Sequence, residues 1–269
     1  MKSSAHRAIA RRLAATSAFV IAALSVPAGA EEYTQFSIGA DYSTGDYGDL
    51  ADTKMLAIPV GIKFQGDSFW ARATVPYLRI EGPEGVIPGD GGVSPGPGGG
   101  DGTTVIDTRS GIGDVNLAAG YTIPLGGSTW FDAIGKVKLP TASKEKFLGT
   151  GTTDFTAEGE LLHSFGGVSA AVRGGRRFNG SKALYPLNDV WQAGAGLYAK
   201  AGPKLSLGLD YDWREGALDT SSDRSEATAS ATYKLSAGLL LQGYGYTGFS
   251  GASADLGGGV QILMRFGAR

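Results

Sequence analysis

Seven ionisable residues recur at alternate positions on three successive segments: Lys136 and Lys138, then Asp154, Glu158 and Glu160, then Arg173 and Arg177. Side chains two residues apart share one face of a strand. Basic, acidic and basic strands laid side by side would pair across the wall they form. If that wall encloses water, the same charges would line a pore as a polarised constriction and select among solutes. Other reactive types offer less. The two histidines are His6 and His163, and Ser164 points the opposite way from His163, which leaves no Ser–His triad geometry. His163 instead reads as an interfacial residue beside a short turn. There is no Cys, no Cys/His metal spacing and no phosphate-binding loop followed by a helix. A single Gly/Asp stretch, Gly98–Gly102, resembles one copy of a Ca²⁺-binding repeat, and one copy does not make a site. The expectation is a non-enzyme with no catalytic residues, no cofactor and no metal.

The elements that must position these charges are strands. In Thr129–Pro140, the residues Phe131, Ala133, Gly135, Val137 and Leu139 alternate with Trp130, Asp132, Ile134, Lys136 and Lys138. The next arm sets Phe155, Ala157, Gly159 and Leu161 against Asp154, Thr156, Glu158 and Glu160. Similar alternation predicts twelve strands, near 33–42, 53–64, 68–80, 111–123, 129–140, 153–164, 168–178, 189–200, 204–214, 224–234, 238–247 and 255–266. Short and long connections alternate between them. Strands of about 11 residues suit a tilted crossing of a bilayer, whereas a soluble sandwich uses strands of about 5–6 residues. Outward parity places Tyr42, Tyr77, Phe155, Phe178, Trp191 and Trp213 near the long loops. It places Phe69, Tyr121, Phe131, Tyr233 and Phe266 near the short turns. Two aromatic girdles are what the two lipid interfaces select. The pattern predicts an all-β fold: an antiparallel transmembrane β-barrel of about twelve strands, with short periplasmic turns and longer extracellular loops. Its first and last strands should pair, because an open edge in hydrocarbon leaves backbone groups unsatisfied.

Composition fits that wall. Residues 1–30 read as a cleaved signal peptide: Lys2, Arg7, Arg11 and Arg12 precede the apolar run Leu13–Val26 and the small triplet Ala28-Gly29-Ala30. Residues 31–269 then form the barrel domain, with 81–110 a long Gly/Pro-rich extracellular loop. Four of the 24 Lys/Arg and none of the 26 Asp/Glu lie in the leader, so the remainder carries a formal charge of −6. That argues against a nucleic-acid partner. Glycine, 44 of 269 residues, has no collagen-like period and suits a wall where it relieves crowding and bends strands.

Several stretches together resemble the outer-membrane transporter family named for the MetA (meta-cleavage) pathway of phenol degradation. They are Ser110-Gly-Ile-Gly-Asp114, Lys136-Val-Lys-Leu-Pro-Thr141, Gly149-Thr-Gly-Thr-Thr-Asp154 and the closing Met264-Arg-Phe266. The resemblance covers most of the chain after the leader. It implies an outer-membrane barrel that admits hydrophobic or aromatic compounds, and it brings no catalytic residues with it. The chain departs from the pattern in the length of 81–110 and in running on through Gly267-Ala268-Arg269.

The expected function is therefore passive uptake of small solutes through a monomeric outer-membrane channel. Its partners would be outer-membrane lipid, the solutes, and the barrel-assembly machinery during biogenesis. The alternatives are a non-conducting scaffold or surface-binding barrel, and an outer-membrane lipid hydrolase. The loop 81–110 would lie outside the mouth or fold into it as a lid.

Overall fold

Side chains that alternate between greasy and wet need a surface with two different solvents, and the chain builds one. The structure, a computed structural model, describes residues 15–16, 20–21, 32–47, 51–83, 86–89, 92–95, 106–181, 187–219 and 221–267. The expected leader lies outside the described residues, apart from a short pairing of Ala15–Thr16 with Val20–Ile21. The described residues contain no helix.

Thirteen strands make one sheet. They are β1 (Tyr33–Gly45), β2 (Thr53–Gln65), β3 (Phe69–Pro83), β4 (Ile106–Ile112), β5 (Val115–Gly126), β6 (Thr129–Leu139) and β7 (Asp154–Ser164). Then follow β8 (Val168–Phe178), β9 (Val190–Lys200), β10 (Leu205–Arg214), β11 (Arg224–Lys234), β12 (Leu239–Gly248) and β13 (Leu256–Phe266). Every pairing is antiparallel, and β13 closes onto β1, with Ile262 opposite Ile38. Closure leaves the wall without a first or last edge, as hydrocarbon demands. The result is a closed barrel of twelve strands with one strand supplied in two pieces.

The two faces are inverted relative to a soluble protein. On β2, Leu56, Ile58, Val60, Ile62 and Phe64 are exposed, while Thr53, Lys63 and Gln65 are buried. On β11, Ala229, Ala231 and Tyr233 face out, while Glu226, Thr228, Ser230 and Thr232 face in. The expected aromatics Tyr42, Tyr77, Phe155, Phe178 and Trp191 are exposed on the outer face, as are Phe69, Tyr121, Tyr233 and Phe266. Large apolar patches of this extent mark a surface that is not meant for water.

Two boundaries differ from the sequence pattern. The expected single strand 111–123 is broken at Gly113-Asp114 into β4 and β5. The upper part of β3 (Tyr77–Pro83) pairs with β4, and its lower part (Phe69–Thr74) with β5. At the break, Gly113 N donates to Pro76 O at 2.8 Å. A Cβ at Gly113 would come within 2.8 Å of the Pro76 and Leu78 side chains, so a larger residue at the bend would have to push them aside. On the other side β6 stops at Leu139, opposite Val115, because Pro140 has no N–H with which to extend the ladder. Among the described residues, β4 therefore has β3 as its one strand partner. The expected loop 81–110 is shorter at both ends, since β3 runs to Pro83 and β4 starts at Ile106. Within it Val86–Gly89 pairs with Gly92–Pro95, and Gly98–Gly102 falls outside the described residues.

Candidate functional site

The lumen is built from the inward parity of every strand, and its charges gather in separate networks. The first sits near the top of β6, β7 and β8. Lys138 and Asp154 are register partners. Lys138 Nζ lies 2.7 Å from Asp154 Oδ2 and 3.6 Å from Asp114 Oδ2. It also donates to Thr150 Oγ1 at 2.9 Å. Arg177 Nη2 meets the same Asp154 Oδ2 at 2.5 Å, and Gly180 N donates to Oδ1 at 3.0 Å. Lys138, Asp154 and Arg177 are all buried, so each charge depends on the others.

Two further groups lie deeper on β6 to β10. Lys136 Nζ is 3.1 Å from Glu158 Oε1, and Gln192 Nε2 donates to Glu158 Oε2 at 2.5 Å. Arg173 Nη2 lies 2.6 Å from Asp212 Oδ1, and Nη1 lies 3.4 Å from Asp210 Oδ1. Tyr198 OH donates to Asp210 Oδ1 at 2.5 Å. Several of these contacts skip a strand, and a glycine on the strand between makes room. Gly194 is opposite both Arg173 and Asp212, and Gly175 is opposite both Glu158 and Gln192. Glu160 stands opposite Asp132 on one side and Arg173 on the other.

The far wall repeats the device. Tyr244 OH and Tyr246 OH donate to the two oxygens of Asp41, at 2.8 and 3.0 Å, and their rings stack with centroids 6.3 Å apart. Gly259 lies between Tyr244 and Asp41 in register. Arg224 pairs with Glu226 on its own strand, and Glu226 also accepts the Ala254 N–H. Above this wall Tyr47, in the connection after β1, donates to Ser43 Oγ at 3.0 Å. Burial pushes its phenol up to about 12.

One sector of the lumen is apolar. Met55 and Ala57 on β2 and Leu78 and Ile80 on β3 point inward, and Ala142 and Leu148 from the connection 140–153 pack onto them. That connection thus folds inward, against the expectation of a purely outside loop. It also covers the gap between β4 and β6, using side chains where a ladder is missing. Thr141 Oγ1 accepts from Val115 N at 2.9 Å and donates to Gly113 O at 3.1 Å. Ala142 N donates to Asp114 Oδ1 at 2.9 Å, and Lys146 Nζ to Ser110 O at 3.2 Å. Burial raises the Asp114 carboxyl above its ordinary range, and the Ala142 N–H and Lys138 pull against it.

All seven residues singled out from the sequence therefore face the lumen. Lys138, Asp154 and Arg177 come together, as do Lys136 and Glu158, while Arg173 joins a different group. The sequence pattern did not pick out Asp41, Asp210, Asp212, Arg224, Glu226, Tyr198, Tyr244 and Tyr246 as a site. Their parity was readable, but, apart from the same-strand pair Arg224 and Glu226, their partners lie one or two strands away. His163 sits on the outer face at the turn end, where Thr129 Oγ1 lies 2.7 Å from Nδ1 and the Phe165 ring centroid is 4.5 Å away. Among the described residues no group of three or more His, Cys, Asp or Glu could hold a metal.

A family model described as "Putative MetA-pathway of phenol degradation" matches residues 50–266. Among solved structures, an outer membrane channel from Pseudomonas putida F1 aligns over 89% of this chain and 99% of its own, with TM-score 0.65 and 15% identity. The KdgM porin aligns over 86% of this chain and 99% of its own, with TM-score 0.51 and 9% identity. At these identities the likeness is one of fold, and both folds are barrels of this kind. No curated protein matches the sequence.

Proposed function

The chain belongs to the MetA-pathway family of phenol degradation, and we propose that it is a passive outer-membrane channel for small hydrophobic solutes, aromatic compounds among them. The observation that carries this reading is the apolar lumen strip Met55, Ala57, Leu78 and Ile80, capped by Leu148 beside the gap between β4 and β6. A hydrophilic pore would expose its charges to the solute. Here Lys138 and Arg177 are engaged with Asp154, Arg173 with Asp212 and Lys136 with Glu158, at 2.5 to 3.1 Å. An apolar solute has no use for a charged path, but it can slide along an apolar strip. The seven lumen charges would then shape and narrow the conduit and bias which small ions leak through it. The connection 140–153 is the element that must shift for the strip to open.

In this reading residues 1–30 direct export and are removed. The barrel sits in the outer membrane as a monomer in contact with lipid, after insertion by the barrel-assembly machinery. It needs no cofactor and performs no catalysis.

The test is entry of labelled toluene and of a sugar of similar mass into vesicles carrying the purified protein. Toluene should equilibrate faster than into protein-free vesicles, and the sugar should not. Equal toluene entry with and without protein would leave a non-conducting barrel, which the closely paired lumen charges also accommodate.

A further inference from the structure

Charge on the outer face of the barrel is scarce and lies at one level. Among the outward-facing side chains of the thirteen strands, the cations are Lys54 on β2, Arg79 on β3 and Arg176 on β8. Each stands at the long-loop end of its strand, and the acid among them is Glu81. Arg176 is already engaged: its Nη2 lies 3.7 Å from Asp189 Oδ2, and its guanidinium lies over the Phe178 and Trp191 rings. Arg79 is exposed, and among the described residues its guanidinium has neither an ion pair nor a hydrogen bond.

Two further cations flank Arg79. Lys54 pairs in register with Glu81, and Leu56 with Arg79, so Lys54 lies on the diagonal from Arg79, roughly 7 Å away. On the other side Ser110 on β4 is the register partner of Arg79, and Lys146 Nζ donates to Ser110 O at 3.2 Å. Lys54, Arg79 and Lys146 thus span two strand spacings, roughly 10 Å. Lys54 meets Glu81 at 3.2 Å, an exposed pair of little worth by itself. Lys144 and Glu145, exposed on the connection 140–153, add one charge of each sign. Three cations against Glu81 leave the patch at +2. Toward the middle of the wall the same strands expose Leu56, Ile58, Tyr77 and Ile112, and Tyr42 is exposed opposite Leu56.

We propose that this patch seats the headgroup of a multiply phosphorylated glycolipid of the outer leaflet, with its acyl chains laid on Leu56, Ile58 and Ile112. Interfacial tyrosines mark the level of the headgroups. A cation two residues beyond Tyr77 therefore meets lipid phosphate rather than lipid chains. The planar Arg79 guanidinium matches a phosphate with two parallel hydrogen bonds, and Lys146 and Lys54 act as point charges beside it. A headgroup with a single phosphate is too small for a row of roughly 10 Å and leaves a cation unanswered. An acidic protein segment would answer the charges, but not the greasy surface directly beneath them. The inference rests on the barrel's place in the outer membrane and is independent of which solute passes through it.

Native mass spectrometry of the folded protein, released from detergent micelles, tests the seat with three probes: bisphosphorylated lipid A, the same lipid stripped of its phosphates, and phosphatidylglycerol. Wild type should hold the bisphosphorylated lipid about tenfold more tightly than the stripped one, as expected of hydrogen bonds between charged groups. Arg79→Gln combined with Lys146→Gln should lose that factor, and Arg176→Gln should keep it. If the double variant lacks the heat-modifiable gel mobility of a folded barrel, Arg79→Glu alone should show the same loss. Equal retention of the phosphorylated and stripped lipids overturns the seat, as does unchanged retention in the Arg79 variants or an equal loss in Arg176→Gln. Phosphatidylglycerol held as tightly as bisphosphorylated lipid A overturns the glycolipid assignment. Toluene entry is measured in vesicles without lipid A, so the lipid seat and the channel can fail separately.

Discussion

Arg173 meets Asp212 across an entire intervening strand, at 2.6 Å, because the residue between them is Gly194. A Cβ on Gly194 would lie 2.7 Å from Arg173 Nε and 2.8 Å from Asp212 Oδ1. The same bridging over a glycine links Gln192 to Glu158 over Gly175, and Tyr244 to Asp41 over Gly259. Part of the chain's high glycine content thus serves the lumen, where missing side chains let long ones reach their partners.

Gly194→Val should push the Arg173–Asp212 pair apart and cost about 1–3 kcal/mol, as overpacking does. The midpoint temperature of the heat-modifiable gel shift should fall. A midpoint equal to wild type would mean that the two side chains meet by another path.

Asp154→Ala removes a carboxylate that both Lys138 and Arg177 touch. Two buried cations then lose their shared partner, and the expected loss is about 3–5 kcal/mol. Asp154→Asn should fall between this variant and wild type, since the amide oxygen still accepts. Heat-modifiable mobility of the three proteins, side by side, gives the order.

Lys136→Ala combined with Lys138→Ala subtracts two positive charges from the lumen. If the pair borders the conducting path, residual ion currents should shift toward cations. Planar-bilayer recordings in a salt gradient report this as a change in reversal potential. Identical single-channel currents and reversal potential would place both lysines outside the path.

Leu148 is 1% exposed and wedged among Met55, Leu78 and Ile80. Leu148→Ala should weaken the docking of the connection 140–153 by about 2–5 kcal/mol. Protease cleavage between Thr141 and Thr152 should speed up while the barrel stays intact, and toluene entry should rise. Unchanged cleavage would show that Thr141, Ala142 and Lys146 hold the connection without it.

Tyr47 offers a test by pH. Its phenol is held near about 12 by burial, whereas an unfolded tyrosine ionises near about 10. The raised value means that its contribution to stability is complete below about pH 10 and is lost as the pH climbs through about 12. Tyr47→Phe should remove one late step from the alkaline absorbance titration and make stability less sensitive to pH between those values. An unchanged late step would mean that Tyr47 ionises with the exposed tyrosines.

The sequence alone determined which face each strand shows. A period of two is local, so Phe155, Ala157 and Leu161 against Asp154, Thr156 and Glu158 can be read without knowing any neighbour. Strand length and the two aromatic belts then require lipid on one side, and backbone satisfaction requires closure. The inward parity of Lys136, Lys138, Asp154, Glu158, Glu160, Arg173 and Arg177 follows from the same rule. Partners do not. Arg173 sits opposite Glu160 in the ladder, yet its guanidinium contacts Asp210 and Asp212, two strands away, because Gly194 leaves the way clear. Only the assembled barrel decided that, as it decided the break at Gly113 and the inward fold of 140–153. Parity depends on two neighbouring residues of one chain segment, whereas each of these depends on the space left by side chains on strands that meet only when the cylinder closes.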